Sequence, residues 1–282
     1  MNGRGASRLA RAALHAALVA GVLVVIAPFV WMLVSSFKTT GDFFGSLFLP
    51  SGDGVLGVAW SSLTLANYAK LIELGFWRAF VNSVFYASTN ALVSTLLCSA
   101  AGYAFAAYRF RGRGVAGLLV LAALVVPPAL LIAPTYALLH RLGLLDTSLG
   151  LIAPMVTPAF GVFLFRQAVL QSVPIELIES ARVDGSSEVR IFFLIVIPML
   201  RPMIGAFMLI SFMAMWNNFL LPQIVIQSAE KQPLSVAITQ LKGVYTTDYG
   251  LMMAATVVSV APPAALFLLL QREFLRGFTV ER

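Results

Sequence analysis

Glu179-Ser180-Ala181-Arg182-Val183-Asp184-Gly185, followed after nine residues by Ile195-Val196-Ile197-Pro198, sets a charged, helix-breaking element inside an otherwise apolar chain. Pro174 suits the first turn of a short helix, with Ser172 as a candidate cap and Glu176 favourable beside the positive helix end. At about 100° per residue, Leu177, Ile178 and Ala181 fall on one side of that helix and Glu176, Glu179 and Ser180 on the other, which is the pattern of a surface helix with an apolar stripe. Gly185 is where a left-handed C-terminal cap is cheapest, and Ser186 or Ser187 can cap a second segment carrying Ile191, Phe192 and Phe193. The chain is expected to turn sharply at Gly185.

Around this element the chain is 60% hydrophobic and only 11% charged, against about 25% charged in soluble domains, so lipid is its solvent. Apolar runs of roughly the 20 residues needed to cross a bilayer occur at about Leu14–Val34, Phe80–Tyr103, Val115–Leu139, Leu149–Phe165, Met203–Ile226 and Leu251–Leu270. Lipid forbids unpaired backbone, so each run reads as a helix. The expected fold is an all-α integral membrane protein of six transmembrane helices in one domain, residues 1–282. The longest polar connection, Ser35 to Arg78, is interrupted by Pro50, Gly52, Gly54 and Gly57. From Asn67 to Trp77 it has the composition of a short helix on the outer surface, with Trp60 and Trp77 suited to the headgroup layer.

Orientation follows from the basic residues. Arg4, Arg8, Arg11, Arg109, Arg111, Arg113, Arg166, Arg182, Arg190, Arg201, Arg272, Arg276 and Arg282 fall on one side, and only Lys38, Lys70, Arg78, Arg141, Lys231 and Lys242 on the other. Acidic residues divide evenly, so the net charge of +7 belongs to the Arg-rich face. That face, the 172–198 loop and both termini are expected in the cytoplasm. The first run exceeds the h-region of a signal peptide and ends at Ser35-Ser36-Phe37-Lys38 without a small-residue cleavage site, so it is read as a retained span.

The spacing of the opening stretch resembles the EAA loop of permease subunits of binding-protein-dependent ABC importers: Glu-Ala-Ala, three residues, Gly, nine residues, Ile-x-Leu-Pro. Ser180 and Ile197 depart from that pattern but keep size and polarity roughly compatible. Tyr103-Ala104-Phe105 through Arg113, Pro134-Thr135-Tyr136, Leu142-Gly143-Leu144-Leu145-Asp146-Thr147, Trp216-Asn217-Asn218-Phe219-Leu220-Leu221-Pro222, Asp248-Tyr249-Gly250-Leu251 and Gln271–Phe278 are similar, in order, to the carbohydrate-type permeases. The resemblance implies that Glu179, Ser180, Ala181, Asp184, Gly185 and Pro198 form a coupling helix and its flank, seated in a groove of a separate ATPase. It also implies two ATPase subunits, a second permease, an extracellular solute-binding protein, a sugar or oligosaccharide as solute, and the cytoplasmic membrane of a bacterium or archaeon. The chain ends at Thr279-Val280-Glu281-Arg282 where relatives carry a longer basic tail, so tail contacts with the ATPase are not expected.

Several chemistries are excluded or disfavoured. No Gly-x-x-x-x-Gly-Lys-[Ser/Thr] phosphate loop occurs, so ATP and Mg belong to the partner and this chain binds no cofactor. Cys98 is the only cysteine, and His15 and His140 lack partners at ligand spacing, so neither a disulfide nor a metal site is expected. Nothing suggests a nucleic-acid partner. An intramembrane enzyme using Glu179, Arg182 and Asp184 would need further acids downstream of Asp-Gly, where this chain turns basic and apolar. A secondary transporter would need a membrane-embedded acid, and none is present. The expected solute path is neutral, with Asn90, Asn217 and Asn218 as its candidate hydrogen-bonding residues. Ser and Thr in the spans are assigned mainly to helix packing, and prolines such as Pro127, Pro128, Pro154, Pro158, Pro262 and Pro263 to kinks.

Overall fold

The computed structural model describes residues 3–241 and 248–279, with side chains described for 10–241 and 248–271. Lys242 and Val280, Glu281 and Arg282 lie outside the described residues, as do the side chains of Arg4, Arg8, Arg272 and Arg276. The helices in chain order are α1 (Gly3–Ser35), α2 (Thr40–Gly45), α3 (Ala66–Glu73), α4 (Phe76–Ala107), α5 (Arg113–Val125), α6 (Ile132–Arg141), α7 (Ser148–Ile152), α8 (Ala159–Ser172), α9 (Ile175–Val183), α10 (Glu188–Ile191), α11 (Ile197–Met199), α12 (Arg201–Trp216), α13 (Leu220–Val225), α14 (Leu234–Gln240) and α15 (Tyr249–Thr279). Among the described residues the only β pairing is an isolated bridge between Ser51 and Val58.

Among the described residues three helices are long and apolar enough to cross a membrane: Ala10–Ser35, Phe76–Ala107 and Tyr249–Gln271. The count reaches six when three bent pairs are each taken as one crossing. The run 115–139 is split into Arg113–Val125 and Pro128–Arg141, bent by 102°, because Pro127 and Pro128 offer no backbone N–H to continue the ladder. The run 149–165 bends by 46° between Ser148–Met155 and Ala159–Ser172, with Pro158 at the N-cap of α8. The run 203–226 is not one helix either. Sixteen residues of α12 reach about 24 Å, short of the roughly 30 Å hydrocarbon core, and the chain then unwinds at Asn217 before α13. Upstream, Glu188–Met199 meets Arg201–Trp216 at 85°.

The chain forms two compact units, Met1–Phe76 with Ile238–Val260 and Trp77–Ala237 with Ala261–Arg282. In the first, α1 exposes its side chains continuously from residue 10 to 30, as an apolar helix does when lipid is its solvent. The following loop is tied by buried polar groups. Lys38 is fully buried, and its Nζ donates to the carbonyls of Ser46 and Leu47 at 2.8 and 3.4 Å. Burial lowers the Lys38 pKa, with the Asp42 charge opposing. Asn67 donates to the carbonyls of Ser36 and Lys38, which fixes the expected surface helix, observed as α3, to the end of α1. Asp248 accepts from Leu251 N at the start of α15, from Thr40 Oγ1 and from Lys70 Nζ at 3.0 Å. Burial works against its charge, but these donors outweigh it and hold its pKa low.

In the second unit the polar residues at the N-terminal end of α4 hold a loop. Asn82 donates to the carbonyls of Glu230 and Gln232, Tyr86 to that of Lys231, and Ser83 accepts from Leu234 N. Asp146 grips the same loop through Gln227 N, Ser228 N, Ser228 Oγ and Lys231 Nζ. The Ser228 hydroxyl and amide, with Lys231, hold its carboxyl far below the usual range. Deeper in α4, Thr95 and Ser99 bond back to the carbonyls of Ala91 and Leu96, in keeping with the packing role expected for the hydroxyl residues. A core of buried side chains joins α4, α8, α9, α10 and α12 through Cys98, Tyr103, Phe165, Ile178, Ile191 and Phe207. Gly161 makes the close approach possible: a Cβ there would lie 2.5 Å from Phe207 Cζ and 2.7 Å from Cys98 Sγ.

Candidate functional site

The 172–198 stretch folds as a helix, a reversal and a second helix. α9 begins after Pro174, which occupies the N-cap without a side-chain cap bond. Ser172 does not cap it, because α8 continues through Ser172. Ile178 and Ala181 are buried at 1% and 8% exposure and belong to the core. Leu177, expected on the buried side, is 41% exposed, since it lies at the edge of the narrow stripe that Ile178 and Ala181 define. The free face of α9 therefore combines Glu176, Glu179 and Ser180 with Leu177 and the 88% exposed Val183. Short acidic and apolar groups alternate there on a rigidly seated helix.

The reversal is held by backbone geometry. Gly185 has φ +76°, a left-handed conformation open to glycine without a Cβ penalty. Gly185 N donates to Arg182 O and Ser186 N to Ala181 O, each at 3.0 Å, closing the helix end. Ser187 Oγ then accepts from Arg190 N at 3.4 Å and caps α10. Past α10 the backbone widens into a π turn over Phe192–Val196, with Ile197 N bonded to Phe192 O. Pro198 follows in α11, immediately before the 85° bend at Leu200.

A cluster that sequence reasoning missed clamps the two arms together. Arg182 Nε donates to Glu188 Oε1 at 2.7 Å and its terminal nitrogen to Oε2 at 3.3 Å. Tyr103 donates to Glu188 Oε2 at 3.0 Å, and Tyr108 donates to the same oxygen. The guanidinium also sits 5.4 Å from the Tyr108 ring centroid, within cation–π range. Arg182, despite the cost of burial, holds the Glu188 carboxyl down to about 2 with help from both tyrosines, and Glu188 in turn raises the Arg182 pKa. The available signal was an acid and a base flanking Gly185. The tyrosines lie 85 and 80 residues away from Glu188, beyond local pattern.

Of the loop candidates, Glu179, Ser180, Asp184 and Gly185 gather on the free side of the reversal. Ala181 faces the core, and Pro198 marks the bend. Among the described residues no hydrogen bond or ion pair involves the Glu179 side chain, which leaves its charge available to an incoming surface.

The three asparagines separate. Asn90 is 1% exposed, and its Nδ2 donates to Ser211 Oγ and O at 3.0 and 3.3 Å, pairing α4 with α12. Its Oδ1 is buried without a partner. Asn217 is exposed at the C-cap of α12. Asn218 lies at the break, where Nδ2 meets Met155 Sδ at 3.0 Å, Oδ1 accepts from Leu221 N and O accepts from Ser235 Oγ. It lines a cavity of about 280 Å³ with Pro128, Leu131, Thr135, Pro154, Met155 and Leu220. Three interruptions meet there: the Pro127-Pro128 break, the turn before α8 and the unwound end of α12. Irregular backbone at membrane depth is tolerated where it is buried in protein or lines a cavity.

Comparison with known proteins agrees with this architecture. Residues 98–279 match the family described as binding-protein-dependent transport system inner membrane component. The chain is 34% identical over 253 residues to the lactose transport system permease protein LacG of Rhizobium radiobacter, covering 89% of each chain. It is 36% identical to the arabinooligosaccharides transport system permease protein AraQ of Halalkalibacterium halodurans, covering 78% of this chain and 79% of that one. In fold it superposes with TM-score 0.80 and 19% identity on a chain of a bacterial ABC transporter that imports the acidic polysaccharide alginate, covering 97% and 99% of the two chains. With a helical architecture that by length and composition allows up to six crossings and a match over most of its length, the chain belongs to the inner membrane components of binding-protein-dependent transport systems, the permeases of ABC importers.

Proposed function

We propose that this permease passes a sugar or oligosaccharide and is driven through α9 by a pair of ATPase subunits, beside a second permease and below an extracellular solute-binding protein. Both termini and the 172–198 loop lie in the cytoplasm in this reading, supported by the thirteen arginines on that face. ATP and Mg are handled by the ATPases. The observation that carries the proposal is the build of the coupling loop. An exposed acidic and apolar face is presented on a helix whose other face is locked into the core.

The mechanism follows the covalent path. A groove closing on α9 pulls a body that cannot shear from the bundle, because Ile178 and Ala181 are buried and Arg182, Glu188, Tyr103 and Tyr108 link both arms to the end of α4. Force passes through α10 and the bend at Leu200 into α12. The far end of α12 is the unwound Asn217-Asn218 segment at the cavity, so displacement of α12 reshapes that chamber. Asn218 is the favoured contact for solute hydroxyls, and Asn217 lies next to it at the break. Asn90 acts by setting the α4–α12 spacing, with its Oδ1 free for one further donor. A neutral chamber suits an uncharged polyhydroxylated solute, in line with the sugars named for LacG and AraQ.

The test is reconstitution of the chain with its neighbouring permease, ATPase and binding protein in liposomes, followed by uptake of labelled oligosaccharides. Uptake requiring both internal ATP and the binding protein is expected. Uptake by this chain alone on a proton gradient would overturn the reading.

A further inference from the structure

A second cavity, of about 540 Å³, opens beside α5 and α8, away from the three-break chamber. Its walls include Leu118, Leu121, Val162 and Phe163, and its charged members are Arg113 and Arg166. Both arginines are half-buried, and among the described residues neither has an ion-pair partner. Arg113 spends one N–H on the carbonyl of Tyr108 at 3.2 Å. Two partly desolvated guanidinium groups without a carboxylate are costly unless an anion reaches them. Arg113 is also the first residue of the thirteen-residue α5, whose positive end adds to the same field. The groove is open for a structural reason: Gly114 and Gly117 line it, and a Cβ at either would meet nothing within 4 Å.

We infer that this groove binds an anionic phospholipid, its phosphate between Arg113 and Arg166 and its acyl chains along Leu118 and Leu121. A phosphate-bearing head with apolar tails matches both parts of the lining, and basic pockets between transmembrane helices are suited to such headgroups. Free phosphate would satisfy the arginines and leave the apolar wall uncovered. Val162 belongs to the core that seats α9, and Phe105 and Val120 pack against it, so the lipid braces the region through which force enters the bundle.

The intact importer complex is purified from nanodiscs holding equal parts dioleoylphosphatidylglycerol and dioleoylphosphatidylcholine, and retained lipid is measured by native mass spectrometry. The wild type should retain the glycerol lipid in preference to the choline lipid by about tenfold, the factor expected from about 1.4 kcal/mol of charge-assisted bonding. Arg113→Gln with Arg166→Gln should abolish that preference. Gly117→Leu, which has open space to fill and keeps both charges, should lower total retained lipid. No preference in the wild type would overturn the assignment without any variant. So would retention unchanged in both variants, a disulfide between Gly117→Cys and a cysteine introduced on the second permease, or inorganic phosphate displacing the lipid at millimolar concentration.

Discussion

Replacing Glu188 with Gln keeps the volume of the side chain and removes its charge, which isolates the clamp at the coupling loop. The carboxylate accepts four donors: two from Arg182, one from Tyr103 and one from Tyr108. The amide offers a single acceptor oxygen, and its NH₂ group must face another donor. Hydrogen bonds to charged groups contribute about 1.5–3 kcal/mol when buried, while exposed ion pairs contribute about 1 kcal/mol or less. Side-chain exposures of 32% for Arg182 and 43% for Glu188 place this pair between those limits, so about 1–2 kcal/mol is lost. That shifts the balance between a docked and a loosened loop by roughly 5- to 30-fold. In proteoliposomes containing the complete importer, sugar moved per ATP hydrolysed should fall within that range while the complex still assembles. Tyr108→Phe should cost less on its own and almost nothing further when combined with Glu188→Gln, since its acceptor is already altered. A wild-type transport ratio in Glu188→Gln, together with strictly additive effects of the two substitutions, would refute the clamp.

Gly185→Val should also uncouple transport: no atom obstructs a Cβ there, so the cost is the positive φ alone, about 1–2 kcal/mol, and Gly185→Asn should recover most of the loss, measured as sugar transported per ATP. Asn218→Leu should slow uptake at limiting sugar with assembly intact, whereas Asn90→Leu, which strands Ser211 and disrupts an α4–α12 contact, should lower the melting temperature of the complex first. Glu188 has its pKa depressed to about 2 against about 4.3 unfolded, so its contribution to stability is fully present above about pH 5 and is lost as pH falls from there toward 2. The transport ratio should therefore be insensitive to this group between pH 6 and 8, and acid melting curves should show less pH dependence in Glu188→Gln. Reporter fusions after Arg111 and after Lys231 should read inside and outside; signals on one side for both would defeat the orientation.

How much was legible in the sequence depended on the range of the interaction. Hydrophobic runs located the long apolar helices because lipid imposes length and apolarity residue by residue, and the Gly185 reversal was readable because one residue type meets its backbone demand. Pro127, Pro128 and Pro158 marked kinks. The unwinding at Asn217 was concealed within an apolar run that continues to Ile226, where no proline sits at the break and the only marker is a local bond from Leu221 N to Asn218 Oδ1. Asn90 and Asn218 looked equivalent as intramembrane amides and differ only in what the fold places beside them. The Tyr103, Tyr108, Arg182 and Glu188 cluster depends on α4 ending against α9 and α10, which no local pattern records.

The proposed coupling requires that the ATPase grip α9 on its Ser180 side, with the Ala181 side in the core. Single cysteines at Ser180 and at Ala181, introduced with Cys98→Ser, can be tested for disulfide formation with cysteines scanned along the ATPase groove, in the resting and ATP-bound complex. Ser180→Cys should cross-link, with a yield that changes on ATP binding, while Ala181→Cys stays unreactive. Equal cross-linking from both positions, or none from Ser180→Cys in an assembled and ATP-hydrolysing complex, would contradict the account.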